Sequence, residues 1–100
     1  MKVYISGPIS GTTDYMERFA KVQKDLEDRG YEVVNPALIN SHLPKSTIWD
    51  QYMDVSLALL SICDAIYMLP GWEKSRGAVL EYTVAKARQK AEITYADLYL

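Results

Sequence analysis

With 100 residues, the chain has room for one domain and little more. Its formal net charge is −2, from 11 basic and 13 acidic residues mixed along its length. That pattern offers no basic stripe, so it argues against a nucleic-acid-binding surface and points any nucleotide ligand toward a free small molecule. The apolar share of 49% is enough for a core, and a second subunit would help cover what so small a domain leaves exposed.

Cys63 is the only cysteine, so no internal disulfide forms, and no Cys or His lies near it in a zinc-like spacing. It closes the apolar run Leu59-Leu60-Ser61-Ile62-Cys63 and is expected in the core. The opening Met1-Lys2-Val3-Tyr4-Ile5 is too short for a signal peptide, and no run approaches transmembrane length. The expectation is a soluble, cytoplasmic protein without a metal or cofactor.

In chain order, Val3-Tyr4-Ile5 predicts a buried strand that stops at Ser6-Gly7-Pro8. A helix follows over about residues 13 to 29, with Tyr15, Phe19, Val22 and Leu26 on one stripe and Gly30 as its stop. Tyr31 to Val34 predicts a second strand. Residues 36 to 46, with two prolines and the only histidine, predict a loop. Ser46 or Thr47 is expected to cap a second helix carrying Trp49, Tyr52, Met53, Ser56, Leu60 and Cys63 on one stripe. Ala65 to Leu69 predicts a third strand, ended by Pro70-Gly71. Ser75 is expected to cap a third helix reaching about Lys90, and Glu92 to Tyr95 predicts a fourth strand.

The alternation β-α-β-α-β-α-β implies right-handed crossovers. The fold expected is a three-layer flavodoxin/Rossmann-like α/β sandwich with a parallel sheet of about four strands. In such sheets ligands bind beyond the carboxyl ends of the strands, near the switch in strand order. That rule selects Ser6 to Gly11, Asn35 to Ala37 and Pro70 to Ser75.

The loop Ser6-Gly7-Pro8-Ile9-Ser10-Gly11 has small residues that let backbone N–H groups approach a ligand. It is neither the dinucleotide fingerprint nor a Walker loop, and the plainer reading is a tight strand-to-helix turn. On the third helix Ala78, Glu81, Tyr82 and Ala85 share a stripe, which sets Glu81 on or beside the inward face. A carboxylate there needs a partner or a task. Its plainer reading is an edge position reaching water. Trp49, Tyr52 and Trp72 are candidates for stacking on a base, although core packing accounts equally for the first two. Asp50, Asp54, Asp64 and His42 read more simply as solvated or turn residues.

Val3 to Gly11, Asn35-Pro36-Ala37, Cys63-Asp64-Ala65-Ile66 and Leu69 to Ala78 with Glu81 together resemble a family of small uncharacterised bacterial and phage proteins. That family is similar to nucleoside 2-deoxyribosyltransferases and deoxynucleoside 5′-monophosphate N-glycosidases. The resemblance implies one such domain over residues 1–100. It implies Glu81 as the nucleophile, Ser75 as a 5′-phosphate contact, and Gly7 to Gly11 as the lining of the phosphate and sugar site. Tyr4 falls near that site by position. Asn35, Trp72 and Gly77 complete the expected substrate-binding set.

The enzymes carry an aspartate about eight residues before the position of Asp64, where it orients the nucleophile and serves the leaving base. Here that position is Ser56. Asp54, two residues away and on a different side of an ideal helix, is the nearest candidate for the second catalytic carboxylate. The implied chemistry is cleavage or transfer of the N-glycosidic bond of a (deoxy)nucleoside or its 5′-monophosphate. The alternatives are a non-catalytic nucleotide-binding or sensing module, and an accessory protein acting through its dimer surface. The expected assembly is a homodimer or higher homo-oligomer, with no membrane and no nucleic-acid partner.

Overall fold

In the computed structural model, which describes residues 1–100, β1 (Lys2–Ser6) occupies an inner position of a four-stranded sheet. Its neighbours explain why Val3, Tyr4 and Ile5 are wholly buried. β2 (Glu32–Val34) pairs on one side and β3 (Ala65–Met68) on the other, with β4 (Ala91–Ile93) beyond β3. Every pairing is parallel, and the order is β2-β1-β3-β4.

A parallel sheet must be covered on both faces. Alternation along the strands sends Val3, Ile5, Tyr67 and Leu69 to one side, against Phe19, Val22 and Leu26 of α1 (Tyr15–Asp28) and Leu98 of α5 (Tyr95–Tyr99). Tyr4 and Ile66 face the other side, against Leu60 of α3 (Trp49–Ser61) and Ala85 of α4 (Arg76–Ala87). Cys63 is buried in this second core, as the apolar run predicts. The result is the three-layer α/β sandwich expected from the alternating pattern. No helix is long and apolar enough to cross a membrane.

From β1 the chain crosses outward to β2, then returns past β1 to β3. The order therefore reverses between β1 and β3, and their carboxyl ends meet closely. Leu69 N–H donates to the Ser6 carbonyl at 2.7 Å. A Cβ placed on Gly7 would lie 2.6 Å from Leu69 Cβ, so this approach requires glycine.

Several boundaries differ from expectation for local reasons. Residues 36–40 are not loop but a short helix, α2 (Pro36–Asn40). Asn35 Oδ1 accepts from Leu38 N–H at 3.2 Å, and Pro36 occupies the first helical turn. Neither Ser46 nor Thr47 caps α3. Thr47 donates its hydroxyl to the Pro44 carbonyl, and Gln51 Oε1 accepts from Ile48 N–H at 3.0 Å instead. α4 ends at Ala87, before Gln89 takes a left-handed conformation. β4 stops at Ile93 because Thr94 turns to cap α5, accepting from Asp97 N–H. A 3-10 turn at Trp72–Lys74 joins β3 to α4.

Candidate functional site

Tyr4 and Ser6 are two residues apart on β1, so both project to the α3–α4 side of the sheet. On α4 the buried residues are Ala78, Glu81 and Ala85, a three-and-four spacing that forms one inward stripe. Ser75 holds the start of this helix, its Oγ accepting from Ala78 N–H at 3.3 Å. Glu81 consequently reaches over the end of β1. Its Oε2 accepts a hydrogen bond from the Tyr4 hydroxyl, and its Oε1 accepts from Ser6 Oγ at 2.6 Å.

Glu81 is only 7% exposed. Burial raises its carboxyl above the ordinary value, while the Ser6 and Tyr4 hydroxyls pull in the opposite direction because they favour the ionised form. The Tyr4 phenol is held well above its usual range, first by burial and then by the charge of Glu81. The Ser56 hydroxyl near the phenol opposes that rise. Ser56 also accepts from Asn40 Nδ2 at 3.0 Å, and Asn40 Oδ1 is enclosed without a hydrogen-bond partner. A polar chain thus runs from α2 through α3 to the carboxylate on α4.

Glu81 borders a cavity of about 510 Å³ at the carboxyl ends of β1 and β3. Gly7, Ile9 and Ser10 form one wall. The start of α4, Ser75 to Ala78, forms another. Trp49, Tyr52, Met53 and Ser56 contribute from α3, with Asn40 and Lys45 beside them. Arg76 stacks its guanidinium over the Trp49 ring at 3.9 Å from the centroid.

Of the residues expected at the site, the fold brings together Gly7, Ile9, Ser10, Ser75, Gly77 and Glu81. Ser6 stands behind the cavity wall and acts through its bond to Glu81. Pro8 and Gly11 lie outside the lining. Asn35 is outside it too, occupied in capping α2 and in donating to Gln23 Oε1 at 3.1 Å. Trp72 packs on Tyr82, ring centroids 4.6 Å apart, away from the cavity. Asp54 is exposed and also outside the lining, on a different side of α3 from the buried Met53 and Ser56. α3 is a continuous α-helix through this position, so Asp54 is not brought to Glu81.

Sequence reading gave Tyr4 only a place near the site and passed over Asn40, Lys45 and Arg76. Two hydroxyl residues spaced for one face of an inner strand were the available signal for Tyr4. Nothing local marked Asn40, since its neighbours depend on how α2 and α3 pack.

Chemically, a desolvated carboxyl between two hydroxyl donors is an aimed nucleophile or base when ionised, and an acid when protonated. It is the only Asp or Glu bordering the cavity. No group of three or more His, Cys, Asp and Glu side chains converges in a way that could hold a metal.

Fold and cavity define a doubly wound α/β domain with one buried carboxylate at the switch in strand order. Over residues 1–95 the chain matches, and belongs to, the family described as Domain of unknown function (DUF4406). No curated protein matches it.

Proposed function

We propose that the protein binds a nucleoside or nucleotide in this cavity and cleaves or transfers its N-glycosidic bond, with Glu81 as nucleophile. The observation carrying this reading is Glu81 itself, buried at the cavity with both oxygens held by Tyr4 and Ser6. The resemblance to nucleoside 2-deoxyribosyltransferases and monophosphate N-glycosidases supports the same assignment.

In the first step a carboxylate oxygen of Glu81 attacks C1′ of the sugar. The C1′–N bond breaks, its electron pair goes to the base, and the base takes up a proton from solvent. In the second step water, or a nitrogen of an acceptor base, attacks C1′ and releases the Glu81 carboxylate, losing its proton to solvent. Water makes the reaction a hydrolysis, and an acceptor base makes it a transfer.

A second reading, a non-catalytic nucleotide-binding or sensing module, is favoured by one observation. Ser56 stands where a second carboxylate is expected, and Asp54 faces solvent. Loss of an acid/base partner removes roughly 10²–10⁴-fold in rate. Incubation with deoxynucleosides and their 5′-monophosphates, followed by chromatography for free base, separates the readings. Base release abolished in Glu81→Ala supports catalysis, and saturable binding without release supports the module.

Homodimerisation belongs to the same proposal. Val79 and Leu80 on α4 and Ile48 before α3 are exposed apolar side chains that a partner subunit would cover. Light scattering that returns a monomeric mass at micromolar concentration would remove it. Free nucleotides of the cytoplasm are the ligand pool this reading assigns.

A further inference from the structure

On the opposite face of the sheet from Glu81, a smaller cavity of about 280 Å³ lies between α1 and α5 at the carboxyl end of β3. Tyr67 of β3 lines it. This residue is 1% exposed, yet its hydroxyl has no hydrogen-bond partner in the chain. The one buried side-chain oxygen or nitrogen sealed off without a partner is Asn40 Oδ1, so the Tyr67 hydroxyl opens onto the cavity. Buried phenols ordinarily find a partner, which makes this one an exception that needs a reason. Burial first, then Tyr99 and Tyr95, push the phenol up to about 12, so at neutral pH it keeps its proton and can donate.

Two of its polar neighbours are already engaged. Lys21 Nζ donates to Asp25 Oδ2 at 2.6 Å, and the Tyr99 hydroxyl donates to the same oxygen at 2.5 Å. Arg18 differs. It donates to the Pro70 carbonyl at 3.1 Å, which holds the guanidinium at the cavity. Asp14 stands 3.9 Å away on an exposed side chain, a weak pairing, so most of the Arg18 N–H donors remain free.

We propose that this cavity binds a small arylcarboxylate, its carboxylate accepting from the Tyr67 hydroxyl and the Arg18 guanidinium and its ring lying against Tyr95. The volume falls just below the range of about 300–1,000 Å³ usual for drug-sized ligands, which sets the occupant near a single ring. Val22, Leu69 and Pro70 supply an apolar wall for it. Tyr95 is 57% exposed and meets Tyr99 at a tilt of 42°, ring centroids 4.8 Å apart, which leaves much of its ring uncovered. A carboxylate suits the polar end because both free groups donate and one is charged, and such bonds are the stronger kind. The site goes beyond the nucleoside reading and does not depend on it, since the two cavities share no lining residue.

The test follows amide chemical shifts of the isotope-labelled protein while benzoate, acetate or benzyl alcohol is added. Benzoate should give saturable shifts centred on α1, the end of β3 and α5. Acetate and benzyl alcohol should each bind roughly tenfold more weakly, because each lacks one half of the match. Tyr67→Phe keeps the ring and removes the hydroxyl, so benzoate affinity should fall roughly tenfold. Its melting temperature without benzoate should hold, because no hydrogen bond within the chain is lost. Arg18→Gln should weaken benzoate to a similar degree. It alters a partly exposed position on α1, so it decides the matter even where the Tyr67 variant folds poorly. Shifts that are absent, unsaturable or centred on the Glu81 cavity overturn the proposal, as does unchanged affinity in either folded variant. Benzyl alcohol binding as tightly as benzoate overturns the carboxylate assignment. None of these results bears on nucleoside binding, which is read from shifts at the other cavity.

Discussion

Ser6 donates its hydroxyl proton to Oε1 of Glu81 at 2.6 Å, tying the last residue of β1 to the middle of α4. This bond favours the ionised carboxyl, so its removal raises the pH at which Glu81 loses its proton. If ionised Glu81 attacks the sugar, the acid limb of the rate profile lies above the ordinary carboxylate range. In Ser6→Ala that limb moves to still higher pH. A profile of kcat/KM against pH for both proteins measures the displacement. A loss of rate with an unmoved limb would assign Ser6 to packing alone.

The raised Glu81 also makes stability depend on pH. In the unfolded chain Glu81 titrates near the ordinary value of 4.5, while in the folded protein it holds its proton to higher pH. The folded state therefore binds more protons across that window. The stability this confers is present below about the unfolded value and is lost as pH rises through the folded one. Glu81→Gln removes the titration and keeps the side-chain shape. Thermal melts of the two proteins should converge at low pH and separate above it, with the variant the more stable at neutral pH.

Two glycines of the first loop separate sterics from backbone conformation. Gly7 has Leu69 where a Cβ would go, so Gly7→Ala forces apart the ends of β1 and β3 at a cost of about 1–3 kcal/mol. Gly11 has open space but φ near +79°, so Gly11→Ala costs about 1 kcal/mol from conformation alone. Denaturant unfolding orders the two. The Gly7 variant should also lose ligand affinity beyond its loss of stability, because the wall it displaces borders the cavity.

Asn35 is a stability residue in this fold. Its side chain caps α2 and bonds to Gln23 while only 6% exposed. Asn35→Ala should cost about 1–2 kcal/mol in the same denaturant assay. Asn35→Asp, which keeps the capping oxygen, should recover part of it.

The parallel sheet and its carboxyl-end cavity were legible because Val3 to Ile5 and Ala65 to Leu69 are continuous apolar runs cut off by Gly and Pro. Glu81 was legible through its spacing from Ala78 and Ala85. What escaped depended on through-space partners. Asn35-Pro36 looks like a strand stop and acts as a helix start, a choice made by the Leu38 amide and by packing of Pro36 and Ala37. Trp72 looked available for a base until α4 set Tyr82 beneath it. Asp54 drew notice as the carboxylate nearest the expected position, yet α3 stays regular and keeps it in water. Lys45, Lys74 and Arg76 meet on the cavity lining, a grouping hidden in the sequence because Lys45 is distant in the chain from the other two.

Tyr4 belongs to the core between the sheet and the α3–α4 layer, and the same side chain grips Glu81. The carboxylate is thereby fastened to an inner, fully paired strand whose amides should be among the slowest in the molecule to exchange with deuterium. The opposite border of the cavity includes Ser41, Leu43 and Lys45, from the irregular stretch between α2 and α3. A ligand of the proposed kind would enter past that border, since the floor is held by paired strands. On the proposed reading the carboxylate stands on a fixed anvil beside an irregular rim, and substitutions that stiffen residues 41–48 should slow ligand release without disturbing its aim.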